Sequence, residues 1–225
     1  MSIYLIMIVF FVASFLVGQQ LRSKFAKYSQ VSLPKGLSGK EVAESMLSYH
    51  GIKNVRVISV AEQLTDHYNP TDKTVNLSPE VYNGRSIAAA AVAAHESGHA
   101  VQHAQSFAFL QMRSSLVPVV SVASRYVQWV LLAGVILLQA FPAILLIGIV
   151  MLALTTLFSF ITLPVEFDAS RRALAWLNSS GLTYGQNANY ARDALKWAAL
   201  TYVVAALGSL ATLLYYLGLL NSNDD

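Results

Sequence analysis

The chain has 225 residues, 55% of them hydrophobic and only 12% charged, against about 25% charged in ordinary soluble domains. The excess lies in long apolar runs, which excludes a wholly water-soluble globule and makes this an integral membrane protein. There is no cysteine, so disulfides and thiolate metal sites are excluded and His and carboxylate remain as ligands. The net charge of +3 is mild, and its placement says more than its sum.

Ser2–Gly18 is an apolar run without charge, close to the lower limit of about 17 residues for a spanning helix. No basic residue precedes it, so it reads as a retained anchor rather than a cleaved signal. Arg22, Lys24, Lys27, Lys35 and Lys40 follow, a juxtamembrane stretch suited to orientation and headgroup contact rather than nucleic acid. Ser38-Gly39-Lys40-Glu41 predicts a capping box opening a helix that runs to about His50 and stops at Gly51. Val42, Ala43, Met46 and Leu47 form its apolar stripe. Asn54–Val60 and Lys73–Leu77 read as strands, with the turn Asn69-Pro70-Thr71-Asp72 between them and Asp66-His67-Tyr68 in a loop. Ser78-Pro79 opens a short helix ending near Gly84.

The chain is organised around the next helix, with Ser86 as N-cap and an end near Gln105. It carries His95-Glu96-Ser97-Gly98-His99. Positions four apart share a helix face, so both imidazoles can reach one cation, with Glu96 close enough to act on a water. That is the H-E-x-x-H chemistry of two zinc ligands and a general base. Gly98 costs about 1 kcal/mol of helix propensity, which predicts that a substrate or another helix approaches closely there. His103 sits eight residues after His95, not the ten of the longer three-histidine motif, and reads as a packing or supporting residue.

Beyond it, Tyr126–Leu163 carries no charge and is interrupted at Gln139-Ala140-Phe141-Pro142. This predicts a transmembrane hairpin of helices at roughly 117–138 and 143–163. Arg125 must then snorkel or face protein. A polar connection at 178–189, a helix start at Tyr190–Lys196, a fourth span at Ala198–Leu220 and a short acidic end at Asn221–Asp225 complete the chain.

The expected fold is therefore mainly α, with about four transmembrane helices and a small cytoplasmic α/β metallopeptidase portion. Its divisions are an anchor at 1–20, the α/β portion with the zinc helix at 21–115, the hairpin at 116–163, a segment with the third ligand at 164–197, and a C-terminal helix and tail at 198–225. All fifteen basic residues lie between Arg22 and Lys196. With four spans, 19–115 and 164–197 share one side, and the positive-inside rule assigns it to the cytoplasm of a multi-pass inner-membrane protein. Glu166 then returns to the face that carries His95 and His99 and becomes the expected third ligand, with Asp168, then Asp193 or His103, as alternatives.

Several stretches carry a resemblance. They are Asp66-His67-Tyr68-Asn69-Pro70, Val75-Asn76-Leu77-Ser78, Ala93–Gln102 and Leu163-Pro164-Val165-Glu166-Phe167-Asp168-Ala169-Ser170. In these the chain resembles the YugP-type neutral zinc metallopeptidase family of bacterial membranes. The resemblance implies a gluzincin core built around membrane helices. More distantly the chain is similar to the prenyl-protein-protease type, whose third ligand is the Glu of an E-x-x-x-D sequence with the Asp supporting a zinc-bound His. Glu166 matches that ligand, but Ser170 stands in the place of the Asp, so support is expected from Asp168 or a backbone carbonyl instead.

The expected function is a zinc-dependent metalloendopeptidase, with one Zn²⁺ held by His95, His99 and Glu166 and with Glu96 as general base. His67, Tyr184, Tyr190, Arg171 and Arg172 are candidates for stabilising the oxyanion, and Thr74–Leu77 for pairing with an extended substrate. The expected partners are a protein or peptide substrate and the lipid bilayer, not nucleic acid; a membrane-protein partner or a homo-oligomer is left open. The competing readings are an intramembrane zinc protease, a non-catalytic zinc-binding membrane subunit and a small transporter.

Overall fold

A computed structural model of the protein describes residues 2–61 and 66–222. Most of the expected acidic end, Asn223–Asp225, lies outside the described residues. The elements are α1 (Ile3–Ser29), α2 (Gly39–Tyr49), β1 (Arg56–Ser59), β2 (His67–Asn69), β3 (Thr74–Leu77), α3 (Pro79–Asn83), α4 (Ile87–Ala104), α5 (Ala108–Ile136), α6 (Pro142–Ser179) and α7 (Gln186–Asn221). Helices α1, α5, α6 and α7 are each long and apolar enough to cross a membrane.

The residues cluster into two compact units. The first, the apolar unit, comprises the chain up to Leu16, Gln111–Pro164 and the chain from Thr201 onward. Within it, Val127, Leu131, Leu145, Ile149 and Leu152 pack together. Gly134 and Gly148 let α5 and α6 approach closely: a Cβ on Gly134 would stand 2.6 Å from Leu145 Cα. The second, the α/β unit, comprises Val17–Leu110 and Val165–Leu200 and contains the sheet, α2, α3 and α4.

In the α/β unit, local sequence sets the elements as expected. Ser38 and Glu41 form a reciprocal capping box, and Val42, Ala43, Met46 and Leu47 are buried beneath α2. Gly51 takes φ +70°, the left-handed conformation that ends helices at glycine. The Asn69 side chain accepts from Thr71 N–H at 2.9 Å, which makes the turn between β2 and β3.

The sheet order is β1-β3-β2, with β1 parallel and β2 antiparallel to β3. This corrects two expectations. His67 belongs to a strand, not a loop: it pairs with Asn76. And Thr74–Leu77, being central, already has neighbours on both sides, so the free edges for an added strand belong to β1 and β2. The helices differ as well. α5 starts at Ala108, α6 continues unbroken through Pro164 to Ser179, and α7 is one helix from Gln186. Pro164 removes one helix hydrogen bond but does not end the helix.

Helix α4 is set at both ends. The Ser86 hydroxyl accepts from Ala89 N–H at 3.2 Å. A bridge between Ser32 and Ser86, with Ile87 N–H donating to Val31 carbonyl, ties its start to the chain after α1. At its far end the backbone N–H of Gln105 donates to the Val101 carbonyl.

Candidate metal centre

His95, Glu96 and His99 follow one another along α4, and Glu166 comes from α6 at the second residue of the α/β unit's second segment. His95 Nε2 lies 3.2 Å, and His99 Nε2 3.7 Å, from the same oxygen, Glu166 Oε2. The two imidazole rings stand 4.8 Å apart, edge to face. One ligand atom from each of the three residues falls within 4.8 Å of the others. Tetrahedral zinc with bonds of about 2.0–2.1 Å separates neighbouring ligand atoms by about 3.3–3.5 Å, so this donor set fits a metal ion of that size. Of the expected alternatives, none joins the group. Asp168 contacts Gln102, Arg171 and Arg172, Asp193 is held by Lys24 and Tyr28, and His103 Nδ1 meets Tyr68 OH at 2.7 Å.

The two chain segments meet here because Gly98 allows it. A Cβ at that position would lie 2.8 Å from the Ala169 carbonyl oxygen, a contact that backbone cannot easily relieve. The expected close approach is thus made by a second helix, and it sets the distance from Glu166 to the two histidines.

The surroundings fix which imidazole nitrogen carries hydrogen. Gln102 is fully buried. Its Nε2 donates to the Val165 carbonyl at 2.8 Å and to Asp168 Oδ2 at 3.0 Å, neither of which can donate in return. Its Oε1 must therefore face His99 Nδ1, at 3.0 Å, and that nitrogen bears the proton. His99 Nε2, on the Glu166 side, keeps its lone pair for a cation. Asp168 anchors the arrangement and is itself held by Arg171 and Arg172. Ser170 Oγ lies 3.1 Å from His95 Nδ1. Support therefore comes from the Ser170 position after all, and Asp168 reaches His99 only through Gln102. Sequence reasoning passed over Gln102, although its place three residues after His99 puts it on the same face.

Electrostatics suit a cation. Burial pushes the His99 imidazole down, yet the Glu166 carboxylate beside it and the charge of Glu96 raise it overall. Burial pushes the Glu166 carboxyl up, but the hydrogen bond to His95 and the imidazole of His99 beside it hold it well below the usual range. Negative charge that stabilises a proton between these atoms would also draw a divalent ion into the same space.

Among the oxyanion candidates, Arg171 and Arg172 are engaged by Asp168. Tyr190 stacks on Tyr28 at 4.8 Å, and Tyr184 is exposed.

Residues 3–221 match the family model described as "Putative neutral zinc metallopeptidase". The chain belongs to this family. It is also 41% identical over 213 residues, 94% of each chain, to the protein named "Putative membrane protease YugP" of Bacillus subtilis strain 168. No solved structure matches. Membership of a zinc metallopeptidase family agrees with a donor set of two imidazoles and one carboxylate, and the relative's membrane character with four apolar helices.

Proposed function

We propose that this family member is a zinc-dependent metalloendopeptidase, cleaving peptide bonds of membrane or membrane-proximal proteins at the cytoplasmic surface of the bacterial inner membrane. The observation that carries the reading is the convergence of His95, His99 and Glu166 on one point beside a buried Glu96. His95, His99 and Glu166 would hold the metal, leaving a position open. Bound zinc supplies Lewis acidity that makes a water nucleophilic near neutral pH. Glu96 accepts the proton of the attacking water and returns it to the leaving amine. Gln102 and Ser170 keep the two imidazoles turned toward the metal. An extended substrate would pair with the free edge of β2, which with β3 packs against α4.

The sidedness rests on charge. Of the fifteen basic residues, all but Arg113 and Arg125 belong to the α/β unit, as the positive-inside rule asks of a cytoplasmic portion. Surface rather than intramembrane hydrolysis is favoured because α4 is not among the four helices apolar enough to span. Within the α/β unit it packs against α2, α3, β2 and β3 and against the stretch of α6 that follows Pro164.

The test compares purified wild-type protein with Glu96→Gln, His95→Ala and Glu166→Ala. Glu96→Gln should keep about one zinc per chain and lose about 10²–10⁴-fold in cleavage rate, while the other two lose zinc. A comparative membrane proteome of cells carrying wild-type or Glu96→Gln protein identifies substrates as proteins that accumulate uncut. Full cleavage by Glu96→Gln would overturn the catalytic reading and leave a zinc-binding subunit.

A further inference from the structure

We propose that the α/β unit binds one anionic phospholipid in the cleft between the last turns of α6 and the first turns of α7. The cleft has a volume of about 550 Å³, within the range of small-molecule sites. Phe167, Leu174, Leu195 and Leu200 give it apolar walls, and Arg171, Arg192 and Lys196 line it as well. No acidic residue lines it. Arg171 is partly neutralised by Asp168. Arg192 and Lys196 stand four apart on one face of α7, and neither forms an ion pair with any described residue. An apolar cavity with uncompensated positive charge fits an amphiphilic anion. A small inorganic anion would leave the apolar walls wet, and a neutral lipid would leave the two cations without a partner.

The placement of the cleft along the chain selects a lipid as that anion. Phe167 follows Leu163-Pro164, the end of the apolar stretch of α6. Leu200 immediately precedes the segment of α7 that belongs to the apolar unit. Both walls therefore continue into segments long and apolar enough to cross a membrane, and basic pockets at such boundaries are where anionic headgroups are held. The cleft is distinct from the metal centre, since neither His95, Glu96, His99 nor Glu166 lines it. Ser170 lines it and meets His95 at Nδ1, while Glu166 meets the same ring at Nε2.

Native mass spectrometry of the full chain in a neutral detergent tests this, using phosphatidylglycerol and phosphatidylcholine of identical acyl chains. Wild-type protein should retain one phosphatidylglycerol with about tenfold or greater preference. Arg192→Ala with Lys196→Ala should abolish the preference, while Arg192→Lys with Lys196→Arg should keep it. Zinc content, equal in all three proteins, reports that the fold is intact and separates this result from the peptidase test. Equal retention of both lipids by the wild type overturns the proposal. So does an undiminished preference in the double alanine variant, or displacement of the lipid by equimolar glycerol phosphate or a short acidic peptide.

Discussion

The apolar unit and the α/β unit bury their side chains against different surroundings. In the α/β unit, Val42, Met46, Val75, Leu77, Ile87, Val101 and Leu177 meet only protein, each at 3% exposure or less. In the apolar unit, Tyr4, Phe11, Trp129 and Ile136 are each more than 70% exposed, a surface that is costly in water and ordinary in lipid. Helix contacts there depend on small residues and a few hydrogen bonds. Examples are Gly208 against Phe10 and the 2.6 Å contact of Thr156 Oγ1 with Ser209 Oγ. One chain thus uses the hydrophobic effect in the unit that holds the metal centre and lipid-type packing in the other. Perturbations should sort by unit.

Removing metal should give the largest separation. On the proposed function, a chelator, or Glu166→Ala, would take away a ligand that binds only the folded α/β unit. At free metal 100 to 1,000 times Kd that ligand contributes about 2.7–4.1 kcal/mol. Limited proteolysis read by mass spectrometry should show new cuts within 17–110 and 165–200, with none in 111–164. Cuts spread evenly over both units would mean that the metal stabilises the whole chain.

Next in size is Gln102→Ala. It frees His99 Nδ1 from its only assigned acceptor and should weaken zinc binding about 10–100-fold, with no effect on the apolar unit. Gln102→Glu keeps an acceptor for His99 but sets its second oxygen against the Val165 carbonyl and the Asp168 carboxylate, so it should not restore the affinity. Equal zinc affinity in wild type and Gln102→Ala would show that packing alone sets the tautomer.

These residues also mark where the sequence was legible. The capping box, the helix carrying His95 and His99 and the apolar spans are local patterns, each written within a turn or a few turns; the first two appear where expected, and the spans lie in helices that run past their expected ends. Glu166 was reachable because span count and charge placement constrain which segments share a side. β2 was not, because three half-polar residues have no strand signal of their own; pairing with β3 across the Asn69 turn makes them a strand. The continuity of α6 through Pro164 was hidden by reading the end of hydropathy as the end of helix. Gln102 lay in plain view on the helix face, but its role depends on Asp168, 66 residues on, and no local pattern connects them.

In the apolar unit, Thr156→Val or Ser209→Ala should cost about 0.6 kcal/mol, the usual scale of a hydrogen bond between membrane helices. Unfolding in mixed micelles measures it, with zinc content unchanged. A loss of zinc in either variant would break the separation of the two units.

The smallest effect separates the units by pH. Glu41 is half-buried, and its carboxylate accepts from the Ser38 backbone N–H at 2.7 Å and the Ser38 hydroxyl at 2.8 Å. With Arg85 nearby, these hold its carboxyl below the usual range. A group depressed in the folded state stabilises above its unfolded value, about 4.3, and that stabilisation is lost as pH falls through the lower folded value. Glu41→Gln keeps the capping geometry but removes the charge. The wild type should therefore unfold at slightly higher denaturant than Glu41→Gln at pH 7, and the gap should narrow as pH falls below about 4.3. Other carboxylates of the α/β unit titrate in both proteins and cancel in the difference. The apolar unit has no Asp or Glu among its described residues, so its own transition should not move over this range. A gap that did not narrow at all as the pH fell would assign the stabilisation to the neutral hydrogen bonds of the cap rather than to the carboxylate.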